Sequence, residues 1–157
     1  ISMDSLRKTL RKFKGVEHRI EFVAKSKEGV HFYNDSKATN VDSLEKALLS
    51  FEQPIILVAG GRDKQSAYER LNSLVKERVK GLVLIGEALP LIKRAWGNIV
   101  ETKEASSMEE AVRAAASMAK KNDIVLLSPA CASFDMFKDY EERGRTFKRC
   151  VRNHLGL

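Results

Sequence analysis

The chain has 157 residues, 43% apolar and 31% charged, which suits one domain with one core and no need of disulfide or metal staples. No run reaches the roughly 18 apolar residues of a membrane span, and the basic start ISMDSLRKTLRKFKG lacks a secretion signal's apolar core and cleavage site. A membrane partner is therefore not expected, and the location is expected to be cytoplasmic. The net charge of +7 divides into +4 over residues 1–31, +1 over 32–127 and +2 over 128–157. That is a basic N-terminal helix and not a concentrated stripe with stacking aromatics, so no nucleic-acid partner is expected.

Leu6, Leu10 and Phe13 recur at helical spacing and predict an amphipathic helix over about residues 4–14, ended by Gly15. Arg19 to Lys25 alternates charged and apolar side chains, Ser26 to Gly29 reads as a turn, and Val30 to Asn34 returns as a strand, giving a hairpin. Val41, Leu44, Leu48 and Phe51 mark a helix that Thr39, Asn40 or Asp42 could cap.

From Pro54 onward strands and helices alternate. PIILVA (54–59) is a strand ending in Gly60-Gly61, and Ala67, Leu71, Leu74 and Val75 mark a helix. Leu82 to Ile85 is a strand, Ala88 to Ala95 a helix, and Asn98 to Glu101 a short strand. Ser106-Ser107-Met108-Glu109-Glu110 offers overlapping capping boxes to an Ala-rich helix through Met118. Ile124 to Leu127 is the last strand. The final helix is expected to pack Phe137, Tyr140, Gly144, Phe147 and Val151 inward and to leave Arg143, Arg145, Lys148 and Arg149 mostly outside.

Continuous apolar strands between helices predict an α/β, Rossmann-like fold: a mostly parallel sheet with helices on both faces and an antiparallel strand from the leading hairpin. Residues 1–15 look separable from a domain over 16–157. Cys131 and Cys150 make no disulfide framework, and Cys131, among Pro, Ala and Ser, reads as a small buried thiol. His18, His31 and His154 lack metal-ligand spacing, so no metal site is expected.

Three polar clusters follow apolar runs: Asn34 to Asn40, Gly60 to Lys64, and Ser128 to Asp135. Loops at the carboxyl ends of parallel strands share one edge, where ligands bind. Each cluster also has an ordinary reading. Gly60 to Lys64 is neither a Walker A loop nor a dinucleotide fingerprint and could be a plain glycine turn. Asp35 to Asn40 could be turn and cap residues, although Lys37 beside a helix N-terminus is unfavourable without an anion. Ser133 is placed to cap the last helix, and a cap can coexist with an anion cradle.

HRIEFV, FYNDSKATN, AGGRDK, LIGEA and LLSPACASFDMFKDYEERGRTF, in this order, resemble the C-terminal domain of the Mur ligases, and among them the members that add D-glutamate. The likeness runs from about residue 16 to the end, with residues 1–15 resembling the last helix and linker of the family's central ATPase domain. It implies a fragment of a three-domain, ATP-dependent amide ligase of peptidoglycan precursor synthesis. In such an enzyme ATP and Mg²⁺ sit mainly on the central domain, and the missing N-terminal and central domains are partners in the same polypeptide. The substrates would be UDP-N-acetylmuramoyl-L-alanine and D-glutamate, joined through an acyl phosphate.

By resemblance, Lys64 and Thr39 engage one D-glutamate carboxylate, and Ser133, with backbone near Phe134 and Tyr140, holds the other. Lys37 is implied as the catalytic cation at the transferred phosphate. Arg19 and Asp35 match nucleotide-binding positions, with Asn34 and His18 as further candidates, and residues 14–18 are hinge candidates. Without a Walker A lysine the fragment alone is expected to be inactive. A sibling Mur ligase or a folylpolyglutamate synthase is the nearest rival. A stand-alone basic Rossmann-like module that binds nucleotide or nucleic acid without turnover is the rival of another class.

Overall fold

The computed structural model describes residues 2–12 and 15–157. Six strands form one sheet: β1 Glu21–Lys25, β2 His31–Asn34, β3 Ile55–Gly60, β4 Val79–Ile85, β5 Glu101–Glu104 and β6 Ile124–Leu127. Their spatial order is β1-β2-β6-β3-β4-β5. β1 runs antiparallel to β2, and every other neighbouring pair is parallel. The expected α/β architecture with one antiparallel edge strand is therefore present. β6, the last strand in the chain, lies between β2 and β3, so the loops leaving those three strands emerge side by side.

The helices are α1 Met3–Lys12, α2 Val41–Leu49, α3 Asn72–Arg78, α4 Leu89–Trp96, α5 Met108–Met118 and α6 Tyr140–Leu155. Alternation along the strands divides the core into two layers. Ile55, Leu57 and Ala59 face α2, α3 and α4 with Leu44, Leu48, Val75, Ile92 and Trp96. Ile56 and Val58 face α5 and α6 with Met108, Val112, Phe147 and Val151. No helix among the described residues is long and apolar enough to cross a membrane.

Local chemistry accounts for most element ends. Asn40 is the α2 cap, its side-chain oxygen accepting from the Ser43 amide at 2.8 Å. Ser107 accepts from the Glu110 amide while the Glu110 carboxylate accepts from the Ser106 amide, a reciprocal cap on α5. The expected helix around Ala67 to Val75 is a 3-10 turn over Tyr68–Leu71 that continues into α3. β5 begins at Glu101 and not at Asn98, because the Ile99 and Val100 amides still donate to the Trp96 carbonyl. Its charged sequence ETKE suits an unpaired sheet edge.

Three expectations about the last helix need correction. Asp139, not Ser133, is its cap, accepting from the Glu142 amide at 2.7 Å, and Phe137 precedes the helix. Arg143 is not outside the packed face but 1% exposed, one helical turn before Phe147. Gly144 does allow close approach: a Cβ there would lie 2.1 Å from His18 Nδ1. Phe13 and Lys14, in the predicted span of the first helix, lie outside the described residues, as does the hinge candidate at position 14.

Candidate functional site

The three polar clusters meet at the carboxyl edge and are stitched together by backbone. The Asp35 amide donates to Leu127 O at 2.7 Å, and the Ala130 amide donates to Ala38 O at 2.9 Å. The Gly60 amide donates to Pro129 O, and Arg62 and Ala132 exchange both backbone hydrogen bonds in an antiparallel bridge. Gly61, at φ 141°, makes this approach possible, since a Cβ there would sit 2.2 Å from Ala132 O. The loop after β4 joins them: Ala88 N donates to Gly61 O, and Glu87 N to the Asp135 carboxylate at 2.9 Å.

On the β1 side, Arg19, Ile20, Asp35, Lys37, Ser43 and Lys46 line a cleft of about 210 Å³. Arg19 is exposed, and it lies between two residues in left-handed backbone, His18 at φ 64° and Ile20 at φ 44°. Such a φ is an outlier for a β-branched residue. Hydrogen bonds hold it there: the Ile20 amide donates to Asp35 Oδ1 at 3.1 Å and the His18 amide to Glu21 at 3.1 Å. Burial pushes the Asp35 carboxyl up to about 6, against the opposing hydrogen bonds from Ser128 and Ile20.

His18 and Asn34 are buried in a network rather than open to a ligand. The Asn34 amide nitrogen donates to His18 Nδ1 and to Glu21, both at 2.9 Å, and its oxygen accepts from Ser36 N. Burial lowers the His18 pKa. Lys148 completes the network by donating to Glu17 and Glu21.

Lys37 spans cleft and loop. It lines the cleft, and its Nζ lies 5.9 Å from the centroid of the Tyr140 ring. Thr39 is half-buried in a tight turn, its amide donating to Lys37 O at 2.9 Å. Lys64 is exposed on the loop after β3. Its neighbour Asp63 accepts from the Gln65 and Ser66 amides and from Tyr68 Oη at 2.7 Å. Burial opposes ionisation of Asp63, yet these donors hold its pKa below the ordinary value. Ser133 is 2% exposed, while the adjacent Phe134 is 63% exposed at the rim. The structure thus brings Lys37, Thr39, Lys64, Ser133 and Phe134 onto one set of joined loops, with Tyr140 at the start of α6 and Arg19 and Asp35 beside them.

Sequence reasoning missed Arg143, whose guanidinium reaches Ser36 and Cys131 beneath these loops. It also missed Tyr68, which bridges Asp63 to Cys131 Sγ at 3.1 Å, and the cleft residues Ser43 and Lys46. For Arg143 the signal was available: helical spacing puts it on the Phe147 face. Cys131 is buried, as expected for an inert thiol, and burial pushes it up to about 11.

The family model for the Mur ligase, glutamate ligase domain matches residues 18–131, most of the described fold. The chain belongs to the Mur ligase family. It is 50% identical to a UDP-N-acetylmuramoylalanine–D-glutamate ligase of Caldicellulosiruptor bescii over 99% of this chain and 34% of that protein. It is 52% identical to one of Geobacter metallireducens over 92% of this chain and 31% of that protein. The chain thus spans about a third of the length of the curated relatives it matches.

Solved structures show the same fold at low identity. They include a bifunctional folylpolyglutamate synthase/dihydrofolate synthase from Yersinia pestis, at TM-score 0.63 and 16% identity over 100% of this chain and 35% of that one. The alanine ligase MurC from Thermotoga maritima gives TM-score 0.63 and 15% identity over 96% and 35%. As a Mur ligase domain, the chain presents its joined loops at the edge where an open α/β sheet binds ligands.

Proposed function

We propose that this chain is the C-terminal domain of an ATP-dependent ligase that joins D-glutamate to UDP-N-acetylmuramoyl-L-alanine in peptidoglycan precursor synthesis. The observation that carries this reading is the meeting of the Lys37, Lys64 and Ser133 loops on one edge of a domain half identical to D-glutamate ligases. In this reading residues 1–15 belong to the preceding ATPase domain. The exposed Met3 and Leu6 on α1, and a family match that begins after it, support that division. The N-terminal and central domains would be the partners, and the cytoplasm, where ATP is supplied, the location.

The chemistry follows from the ligand. D-Glutamate brings two carboxylates and an amine that must stay free to attack. Lys64 and the Thr39 hydroxyl hold one carboxylate, and Ser133 with neighbouring backbone amides holds the other, so the amine points toward Lys37. The L-alanine carboxylate, activated by phosphoryl transfer from ATP, is attacked by that amine. The C–N bond forms, phosphate leaves, and the amine loses a proton. Lys37 stabilises the anionic charge through both steps.

The cleft with Arg19, Lys37 and Lys46 fits phosphate oxygens, with Asp35 as its one carboxylate. Among the described residues no group of three His, Cys, Asp or Glu is placed to hold a metal. This donor set fits phosphates better than Mg²⁺, which the preceding domain would hold to neutralise charge on the transferred phosphoryl group. Much of the rate would come from positioning when this domain closes on the ATPase, with the segment at residues 14–18 as the hinge.

The test is the full-length protein given UDP-N-acetylmuramoyl-L-alanine, Mg²⁺, ATP and labelled D-glutamate. Label should enter the uridine nucleotide with release of one phosphate per amide formed. Glutamylation of a folate instead, or label entering only from another amino acid, would replace this reading with that of a sibling ligase.

A further inference from the structure

We infer that Arg143 is a positioning residue that sets the Lys37 loop against the Ser133 loop from beneath the site. The inference rests on the D-glutamate reading above. Arg143 Nε donates to Ser36 Oγ at 2.9 Å and Nη2 to Ser36 O at 2.8 Å. Its Nη1 donates to Cys131 O at 3.0 Å and lies 3.2 Å from where a Cβ on Gly61 would be. The Ser36 hydroxyl in turn donates a hydrogen bond to Tyr140 O at 2.8 Å. One planar fork therefore touches the loop after β2 and the loop after β6, under the glycine that starts the loop after β3.

The electrostatics argue against a role in stability alone. The guanidinium is 1% exposed and donates to carbonyls and a hydroxyl, not to a carboxylate. The titratable groups facing it are Asp135, whose carboxylate accepts from the Glu87 amide, and the Cys131 thiol. Arg143 also sits in the first turn of α6, the end where a helix dipole disfavours a cation. A buried cation without an ion pair is costly, and this one is held only by two loop carbonyls and a loop hydroxyl. Burial lowers its pKa to about 10, so it remains charged at neutral pH.

What the charge and fork supply is geometry and potential. Ser36 lies between Asp35 and Lys37, and Cys131 lies just before Ala132 and Ser133. Fixing Ser36 to Cys131 fixes the cation at the phosphate relative to the cradle of the amino acid. The planar guanidinium makes three of its five possible N–H bonds here, one from each nitrogen, a fork that an ammonium cannot reproduce. Its positive charge also favours an anion above the loops.

The full-length protein should be compared with Arg143→Lys and Arg143→Met at a temperature where urea titration shows each variant folded. Both should lower kcat and raise the D-glutamate KM, each by at least about tenfold, since small misplacements at a reacting centre are costly. The KM for the uridine nucleotide should stay within about threefold, since on this reading the missing domains hold it. Millimolar guanidinium should restore activity to Arg143→Ala and not to Lys64→Ala.

Hydrogen exchange should quicken together in residues 35–39 and 130–133 of Arg143→Lys, with β3 unchanged. A loss of kcat alone, tracking the unfolded fraction, would overturn the inference, as would wild-type kinetics in Arg143→Met. If the wild type does not use D-glutamate, the functional reading fails by itself, and the exchange measurement still decides on Arg143: unchanged exchange in either loop overturns the inference.

Discussion

Ser128 donates its hydroxyl proton to Asp35 Oδ2 at 2.8 Å across 93 residues of sequence. Each residue directly follows its strand, β6 and β2, which pair in parallel. The bond therefore joins two loops of the candidate site at the point where both leave the sheet, and the other oxygen of Asp35 holds the strained Ile20 beside Arg19.

Asp35 should make stability depend on pH. Its ordinary value is 3.8, and burial raises it to about 6. The folded state thus binds the proton more tightly than the unfolded chain. The stabilisation is complete below about pH 4 and is lost as pH rises through about 6, a change on the order of 2–3 kcal/mol. Asp35→Asn should remove this slope, so that its stability relative to wild type rises between pH 4 and pH 7. Urea unfolding at both pH values measures it, and an equal difference at the two would contradict the assignment.

Lys64 and Asp35 should separate the two ligands. In the full-length ligase Lys64→Ala should raise the D-glutamate KM about 10- to 100-fold, the value of a charged hydrogen bond, while the ATP KM moves little. Asp35→Ala should do the reverse. Initial rates with each substrate varied in turn would show it, and equal effects on both substrates would remove Lys64 from the amino-acid site.

Gly144→Ala should destabilise the fold by about 1–3 kcal/mol through overpacking. The added methyl would fall 2.1 Å from His18 Nδ1 and 3.1 Å from Asn34 Nδ2, inside a closed hydrogen-bond network. Urea titration reads the loss, and an unchanged midpoint would mean that α6 stands farther from His18.

The two thiols should react in a fixed order. Cys150 is half-buried, whereas Cys131 is 1% exposed with its pKa pushed up to about 11. A small alkylating agent at pH 8 should modify native Cys150 first and Cys131 only on unfolding. Mass spectrometry of the labelled peptides gives the order, and equal rates would show that the Cys131 loop opens readily.

Much of this protein was legible in its sequence. The runs PIILVA, LVLI and IVLL marked buried parallel strands because only strands covered on both faces are apolar throughout. Cap candidates announced two helices, and of them Asn40 and Ser107 are the residues whose side chains bond the first-turn amides. The polar clusters at strand ends marked the loops that meet at the carboxyl edge, since small and polar residues are what a chain needs where it leaves a sheet.

What the sequence left open depended on distant pairing. Local periodicity carries no information about which strand lies beside which, so the insertion of β6 between β2 and β3 was decided only by tertiary packing. That insertion brings Ser128 to Asp35 and Ala132 to Arg62. Helical spacing put Arg143 on the inner face, but its charge argued for the outside. Carbonyl acceptors from Ser36 and Cys131, supplied by two remote loops, reversed that preference.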